Sequence, residues 1–515
     1  MSILPHLTVN TYNLTAVILV AIGTISTAYG LAVIGSTVGQ PSFYTYFALE
    51  ADTTDPDYKH TTNMIGALNG VNSAGAFMGC ILQAWSADAY GRKSTIRLGA
   101  AVLIVGGALC AGAMHMAMFL VGRFVAGLGA GILACIVPIY QAEVSTAETR
   151  GAMVCVTGVM YAVGYSLAGW LGYACWFMEA TSPAAQFAWR FPLAFQVLFP
   201  LCVLVGAPFI PESPRWLLAK GKGGEALSVL QKLHSTNGHS NGGGTQAQEE
   251  FSQMEKQLEF DRSRIVKSRP ALTLFSTPAN RKRSLIATIL MIGNQFLGTF
   301  VLTNYGVLIY ASLGLTGPIP LLLNACWTSF TLIGNTWTAL CIDRFGRRRF
   351  LLTGATGCTM CIVFLCALTA SFLNTDNTAG LRAAVFFIFF YIFWWCFFVD
   401  ATQFAYIAEI FPNHLRSQGV ALGLGWFYLS SEVTLVAAPV GMDRIGWRFY
   451  LVLIVPSVLY IGCIYFLFPE TKGRTLEEMG RVFGEEPVYS QEAEESDTGI
   501  EKGAETQRIE DVSAV

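Results

Sequence analysis

Charged side chains are few in this sequence. Only 13% of its 515 residues are Asp, Glu, Lys or Arg, where an average soluble domain carries about 25%. Hydrophobic residues make up 53% and aromatics 13%. A soluble fold of this size would leave much of that apolar surface in water, and a bilayer removes the conflict. The net charge of −2 gives no basic surface for nucleic acid. No HExxH, no GxSxG and no Cys/His pairing occurs, so the sequence reads as no enzyme and calls for no cofactor and no metal. The 13 cysteines lie almost wholly inside apolar runs and form no disulfide framework. Cys358 and Cys361 make a CxxC without a second pair, which reads as two small apolar side chains one helical turn apart. The first apolar run lacks a basic flank and is too long for a cleavable signal peptide.

Long apolar runs are what the sequence has instead. A helix needs about 20 apolar residues to cross a bilayer with its backbone satisfied. Twelve such runs lie near 14–38, 61–84, 95–114, 117–141, 151–176, 188–209, 284–311, 318–342, 350–373, 382–408, 417–440 and 447–468. The expected fold is therefore an all-α membrane protein of twelve transmembrane helices. Residues 212–287 hold twelve Lys and Arg against seven Asp and Glu, and the loops 85–97 and 343–349 are also basic. Residues 40–60 hold Glu50, Asp52, Asp55 and Asp57 against Lys59 alone. Basic loops face the cytoplasm, which puts both termini inside.

The chain then divides into a cytoplasmic N-terminus (1–13), a first six-helix bundle (14–211) and a linker with short amphipathic helices (212–283). A second bundle (284–468) follows, and then a motif with an acidic, disordered tail (469–515).

The two bundles repeat each other. "DAYGRK" at 88–93 matches "DRFGRR" at 343–348, "AEVSTAETRG" at 142–151 matches "AEIFPNHLRSQG" at 408–419, and "PESPRW" at 211–216 matches "PETKGR" at 469–474. Glu143 precedes Arg150, and Glu409 precedes Arg416, by the same seven residues. All six motifs fall at one end of the spans. They nominate a gate of Asp88, Arg92, Glu143, Arg150, Glu212, Arg215, Asp343, Arg347, Glu409, Arg416, Glu470 and Arg474. Ion pairs among them, formed across the junction between the halves, would hold that end shut and break when it opens. An exposed pair contributes about 0–1 kcal/mol, which suits a reversible latch.

These motifs, with "GRFVAGLGAG" and "VPIYQAE", resemble the sugar porter family of the major facilitator superfamily, most closely its fungal hexose and disaccharide branch, over roughly residues 15–480. The resemblance implies two halves rocking about a central site. In the seventh span, "GNQFLGTFVLTNYG" puts Asn294 and Gln295 where the family has paired glutamines. The family's next asparagine falls on Phe300, and Asn304, on the same helical face, is expected to supply that amide. Further family positions fall on Gly158, Phe404, Tyr428 and Ser431. This leaves three solutes open: a disaccharide, a polyol or a weakly bound hexose.

Proton-driven members resemble one another in a first-span Asp facing a fourth-span arginine. Arg123 is present, but Gly30 occupies the Asp position, and residues 14–38 hold no carboxylate. Facilitative uniport is favoured on that ground. Asp400 and Glu432, both inside spans, offer the alternative of proton symport. A nutrient receptor on the same scaffold is a further alternative. "GLGAG" at 127–131 has no strand before it and reads as close helix packing. The expected partners are a sugar or polyol, the lipid bilayer and, in the symport reading, protons; the expected location is the plasma membrane.

Overall fold

The computed structural model describes residues 11–50, 58–145, 150–178, 185–234, 243–264, 273–372, 375, 377–412, 415–472 and 476–484. Among them there is no strand. The first half contains α1 (Thr11–Val38), α2 (Pro41–Tyr46), α3 (Tyr58–Tyr90), α4 (Arg92–Ala111) and α5 (Met116–Val144). It continues through α6 (Arg150–Trp176), α7 (Ala185–Phe195) and α8 (Leu198–Gly206). Three helices, α9 (Pro214–Ala219), α10 (Gly223–His234) and α11 (Gly243–Arg264), lead to the second half. That half contains α12 (Pro278–Phe296), α13 (Thr299–Ser312), α14 (Ile319–Phe345), α15 (Arg347–Phe372) and α16 (Thr378–Trp394). It ends with α17 (Asp400–Ile410), α18 (Arg416–Ile445) and α19 (Phe449–Leu467), and α20 (Leu476–Val482) closes the described chain.

Nine segments among the described residues are long and apolar enough to cross a membrane, and one of them, Arg416–Leu467, contains both α18 and α19. The two 27-residue helices α6 and α14 complete the twelve crossings. The acidic tail beyond residue 484 lies outside the described residues.

Three crossings that read as single runs are broken, each for a local reason. Between α7 and α8 the break falls four residues before Pro200, which has no N–H to give to the carbonyl of Gln196. Ser26 Oγ donates to that carbonyl instead, at 3.0 Å, and Tyr29 OH donates to the Pro192 carbonyl at 2.7 Å. The seventh crossing breaks at Gly298, whose φ of +88° is left-handed and favours glycine. The tenth breaks at a π-turn, Trp395–Val399, immediately before Asp400. Such turns inside helices collect at functional sites.

Small residues set the packing within the first half. A Cβ on Gly127 would lie 2.1 Å from the Asn72 carbonyl oxygen, and one on Gly131 would lie 2.0 Å from that of Ala76. The "GLGAG" stretch is thus where α5 meets α3 backbone to backbone. Between the halves, α3 runs along α18 and α6 along α14, while α1 meets α13. The first two seams are equivalent under the repeat, since α3 and α14 are the second crossing of their halves and α6 and α18 the fifth.

Candidate solute site and charged network

A cavity opens between the halves where the seventh and tenth crossings break. Its non-atom space is about 480 Å³, counting the crevices that lead from it. Tyr161 and Tyr165 from α6 form one wall, and Phe300, Phe404 and Phe427 form another. Thr303, Thr328 and Thr331 give their protons to carbonyls of their own helices, and Thr299 is bonded to Tyr391 OH. These four therefore supply hydroxyl oxygens as acceptors, with Gln403 a carboxamide and Asp400 a carboxylate. Trp327, Ile392 and Trp395 complete the lining, which holds no basic residue among those described. Tyr161 stacks on Phe404 with ring centroids 5.5 Å apart, one aromatic from each half.

Asp400 is the hub of a buried polar chain. Asn335 Nδ2 donates to Asp400 Oδ2 at 2.8 Å and to the Gly158 carbonyl at 3.1 Å. Trp395 and Gln403 line the cavity together with Asp400. Asn294 Nδ2 donates to Gln403 Oε1 at 2.9 Å, and Tyr460 OH donates to Asn294 Oδ1 at 2.8 Å. The chain runs from α19 through α12 and α17 to α14, and it ends on the backbone of α6 in the other half.

Of the six expected solute contacts, Phe404 alone lines the cavity. Asn294 is one bond behind it, through Gln403. Gln295 is buried beside Asn294, and its Oε1 has no hydrogen-bond partner. Asn304 turns back on its own helix, giving Nδ2 to the Phe300 carbonyl at 3.0 Å, so it does not bring an amide into the cavity. Thr303, one residue earlier, occupies that wall. Ser431 Oγ likewise donates to the carbonyl of Tyr428 at 2.9 Å. Tyr428 is buried edge-on against Phe427, 5.1 Å between centroids, behind the lining.

The lining residues not singled out in the sequence carried a signal. Gln403 lies three residues after Asp400, and Thr328 and Thr331, and Tyr161 and Tyr165, are spaced three or four apart, so each pair shares one helical face.

The structure separates Asp400 from Glu432. Glu432 lies at the α3–α18 seam, its Cγ 3.7 Å from where a Cβ on Gly70 would sit, and it takes no part in the cavity lining. A shared Asp400–Glu432 site is therefore not formed. Arg123 is 1% exposed; its Nη1 donates to the Gly30 carbonyl at 2.8 Å and its Nε to the Leu68 carbonyl at 3.3 Å. A Cβ on Gly30 would lie 2.6 Å from Gln196 Nε2. Gln196 thus fills the space a first-span carboxylate would need.

At the motif-bearing end each half closes its own network. Arg92 grips Glu143 with two bonds of 2.9 Å, and its Nη1 reaches Asp88 at 3.3 Å. Glu212 Oε1 accepts from the backbone N–H of Arg92 at 3.0 Å and of Lys93 at 3.2 Å. In the second half Arg347 binds Glu409 at 2.8 and 3.2 Å. Glu470 accepts from the N–H of Arg347 at 2.9 Å and of Arg348 at 3.2 Å. Burial pushes the Glu212 carboxyl up from its ordinary value, against the N–H groups of Ser213, Lys93 and Arg92 and the Arg92 charge. Arg215 adds positive charge near Glu143.

Among the described side chains, the Arg92–Glu143 and Arg347–Glu409 pairs each form within a half. Arg92 opens α4 and Glu143 ends α5, which are neighbours in one bundle. The Arg92–Glu143 pair is also buried, its side chains 10% and 8% exposed, so the exposed-pair estimate does not apply to it. At the junction itself, Arg416 lies in a crevice with Pro138 and Ile139 of α5 and with Ala408 and Val420. The side chains of Arg150 and Asp343, and all of Arg474, lie outside the described residues.

Comparison with known proteins adds three findings. A family model described as "Sugar (and other) transporter" matches residues 16–483. An "MFS-type transporter criB" of Aspergillus cristatus is 30% identical over 456 residues, 88% of this chain and 90% of that protein. A "Sugar transporter STL1" of Saccharomyces cerevisiae is 27% identical over 88% of this chain and 78% of its own length. In structure, the proton:xylose symporter XylE, bound to 6-bromo-6-deoxy-D-glucose, superposes with a TM-score of 0.78. That match covers 92% of this chain and 99% of the other at 22% identity, and it shows the shared major facilitator fold.

Proposed function

The chain belongs to the sugar transporter family of the major facilitator superfamily, and from that premise we propose that it carries a neutral sugar or polyol by facilitative uniport. The halves rock about the cavity, and the motif-bearing end faces the cytoplasm at the plasma membrane, with both termini inside.

The lining of the cavity is the observation that carries this reading. Four threonine hydroxyls, a carboxamide and one carboxylate suit a solute rich in hydroxyl groups, and the aromatic walls suit its C–H faces. With a carboxylate and no base among the described lining residues, an anionic solute is disfavoured. Arg123 supports uniport, because backbone carbonyls rather than a titrating acid accept from its guanidinium.

Uptake in a cell lacking its own hexose carriers tests both parts. Hexoses, pentoses, disaccharides and polyols compete for one labelled solute, with and without a protonophore. The expected result is saturable uptake that stops at equal concentrations inside and out and ignores the protonophore. Accumulation that collapses with the proton gradient establishes symport instead, and the absence of any uptake leaves the receptor reading.

A further inference from the structure

The polar chain around Asp400 joins the cavity to the other half of the molecule. Asn335 is fully buried and is not among the residues that line the cavity. Its Nδ2 serves two acceptors from different halves, Asp400 Oδ2 at 2.8 Å on its own side and the Gly158 carbonyl at 3.1 Å on the other. Its Oδ1 is buried with no hydrogen-bond partner, so nothing fixes the amide from that side. At the same level the backbones nearly touch: a Cβ on Gly158 would come within 3.1 Å of Ala401 Cβ.

We propose that Asp400 senses the solute and that Asn335, as a positioning residue, relays its presence to the joint between the halves. The proposal rests on the reading of the cavity as a site for a hydroxylated solute. With the cavity empty, Asp400 holds the Asn335 amide in the orientation that reaches Gly158, and the bridge keeps α6 against α14 and α17. Asn335 is fully buried, so its end of the bond is shielded from solvent. A solute hydroxyl that donates to Asp400 takes over part of the carboxylate's accepting capacity. The Asn335 amide is then no longer held, the bridge to Gly158 weakens, and the seam parts.

Two ordinary features of the site fit this role. The carboxylate is shared between the cavity and the seam, so a solute and Asn335 compete for one group. Charged acceptors form hydrogen bonds roughly twice as strong as neutral ones, so replacing the carboxylate weakens the hold on a solute donor.

The test uses the purified full-length chain in proteoliposomes. A reporter, Ala408→Cys, is placed in the crevice at the motif-bearing end, with the exposed Cys202 replaced by Ser. Thiol labelling is followed with and without glucose or mannitol, and transport kinetics are measured in parallel. In the reporter protein the solute accelerates labelling. Asp400→Asn raises KM at least about tenfold, because a carboxamide accepts less strongly than a carboxylate. Asn335→Ala removes the competitor for the Asp400 carboxylate, so KM falls rather than rises, and the variant labels fast without solute and gains nothing from it. Gly158→Ala, which presses on Ala401 without touching Asp400, also raises basal labelling, and it serves if Asn335→Ala does not fold.

An unchanged KM for Asp400→Asn overturns the proposal. So does basal labelling of Asn335→Ala and Gly158→Ala at the reporter's native rate, and that arm needs no solute. If the native protein carries none of the panel, the sugar reading fails separately, while the basal labelling still decides whether Asn335 holds the seam.

Discussion

Gly91 and Gly346 stand 255 residues apart and adopt the same backbone, φ +93° in each. A Cβ on either would lie 2.6 Å from a carboxylate oxygen, Glu212 Oε2 for the first and Glu470 Oε2 for the second. The repeat thus conserves a geometry as well as letters: a left-handed turn lets a distant glutamate accept the first N–H groups of the helix that follows. Gly91→Ala and Gly346→Ala are each expected to displace that glutamate and reduce uptake at least about tenfold, because strain at such a residue costs on the order of 1–3 kcal/mol before the clash is counted. Initial uptake rates normalised to surface protein check this. Near-native rates for both would show that the turn is incidental.

The two halves differ in how deeply their ion pairs are buried. Glu143 is 8% exposed at its side chain, against 27% for Glu409. Removing one partner of a buried pair costs about 3–5 kcal/mol, and an exposed one far less. Glu143→Ala is therefore expected to lower the melting temperature in detergent more than Glu409→Ala does. Equal losses would contradict the asymmetry. The double substitution should cripple turnover of whatever protein reaches the membrane.

Glu212 gives the first-half network a pH dependence. Burial raises its pKa in the folded protein above the value of about 4.3 for a free glutamate. A raised pKa means that folding favours the protonated form. The stabilising contribution is complete below the unfolded value and declines as pH rises through the folded one. Glu212→Gln keeps an acceptor but cannot titrate. The melting temperature of the native protein minus that of Glu212→Gln should fall from pH 4 to pH 7.5, and a difference that grows over that range would reverse the sign.

The end opposite the motifs closes on backbone contacts. A Cβ on Gly35 would meet the carbonyl oxygens of Asn304 and Thr303 at 3.1 and 3.3 Å, where α1 crosses α13. A large residue there cannot be accommodated without parting the two helices. Gly35→Trp is expected to abolish uptake while leaving that end permanently open to a membrane-impermeant thiol reagent at an introduced cysteine. Uptake above about half the native rate would show that this contact does not have to form.

Much of the fold was legible because its determinants are local. Apolar length gives the crossings, and repeated motifs give the halves. The breaks were harder to read. Gly298 and Pro200 are visible as residues, but which carbonyl each one frees depends on what packs beside it, as Ser26 does at Gln196. The cavity was the least legible part. Asn304 has the right chemistry and the right face, yet its amide is taken by the Phe300 carbonyl of its own helix. Asp400 could be flagged as a charge in a span, but not its tie through Asn335 to Gly158, because a contact between halves leaves no periodic trace in one sequence. The gate residues were legible as types, while their pairing followed bundle neighbours that only the packing defines.

Equilibrium counterflow with the purified protein in proteoliposomes tests the central claim most directly. Vesicles loaded with unlabelled glucose or polyol are diluted into a trace of the labelled solute, with pH and potential equal on both sides. The account predicts a transient uptake overshoot that needs no proton gradient and that glucose, but not the anionic glucuronate, competes away. An overshoot abolished by glucuronate as readily as by glucose, or no counterflow until a proton gradient is imposed, would contradict it.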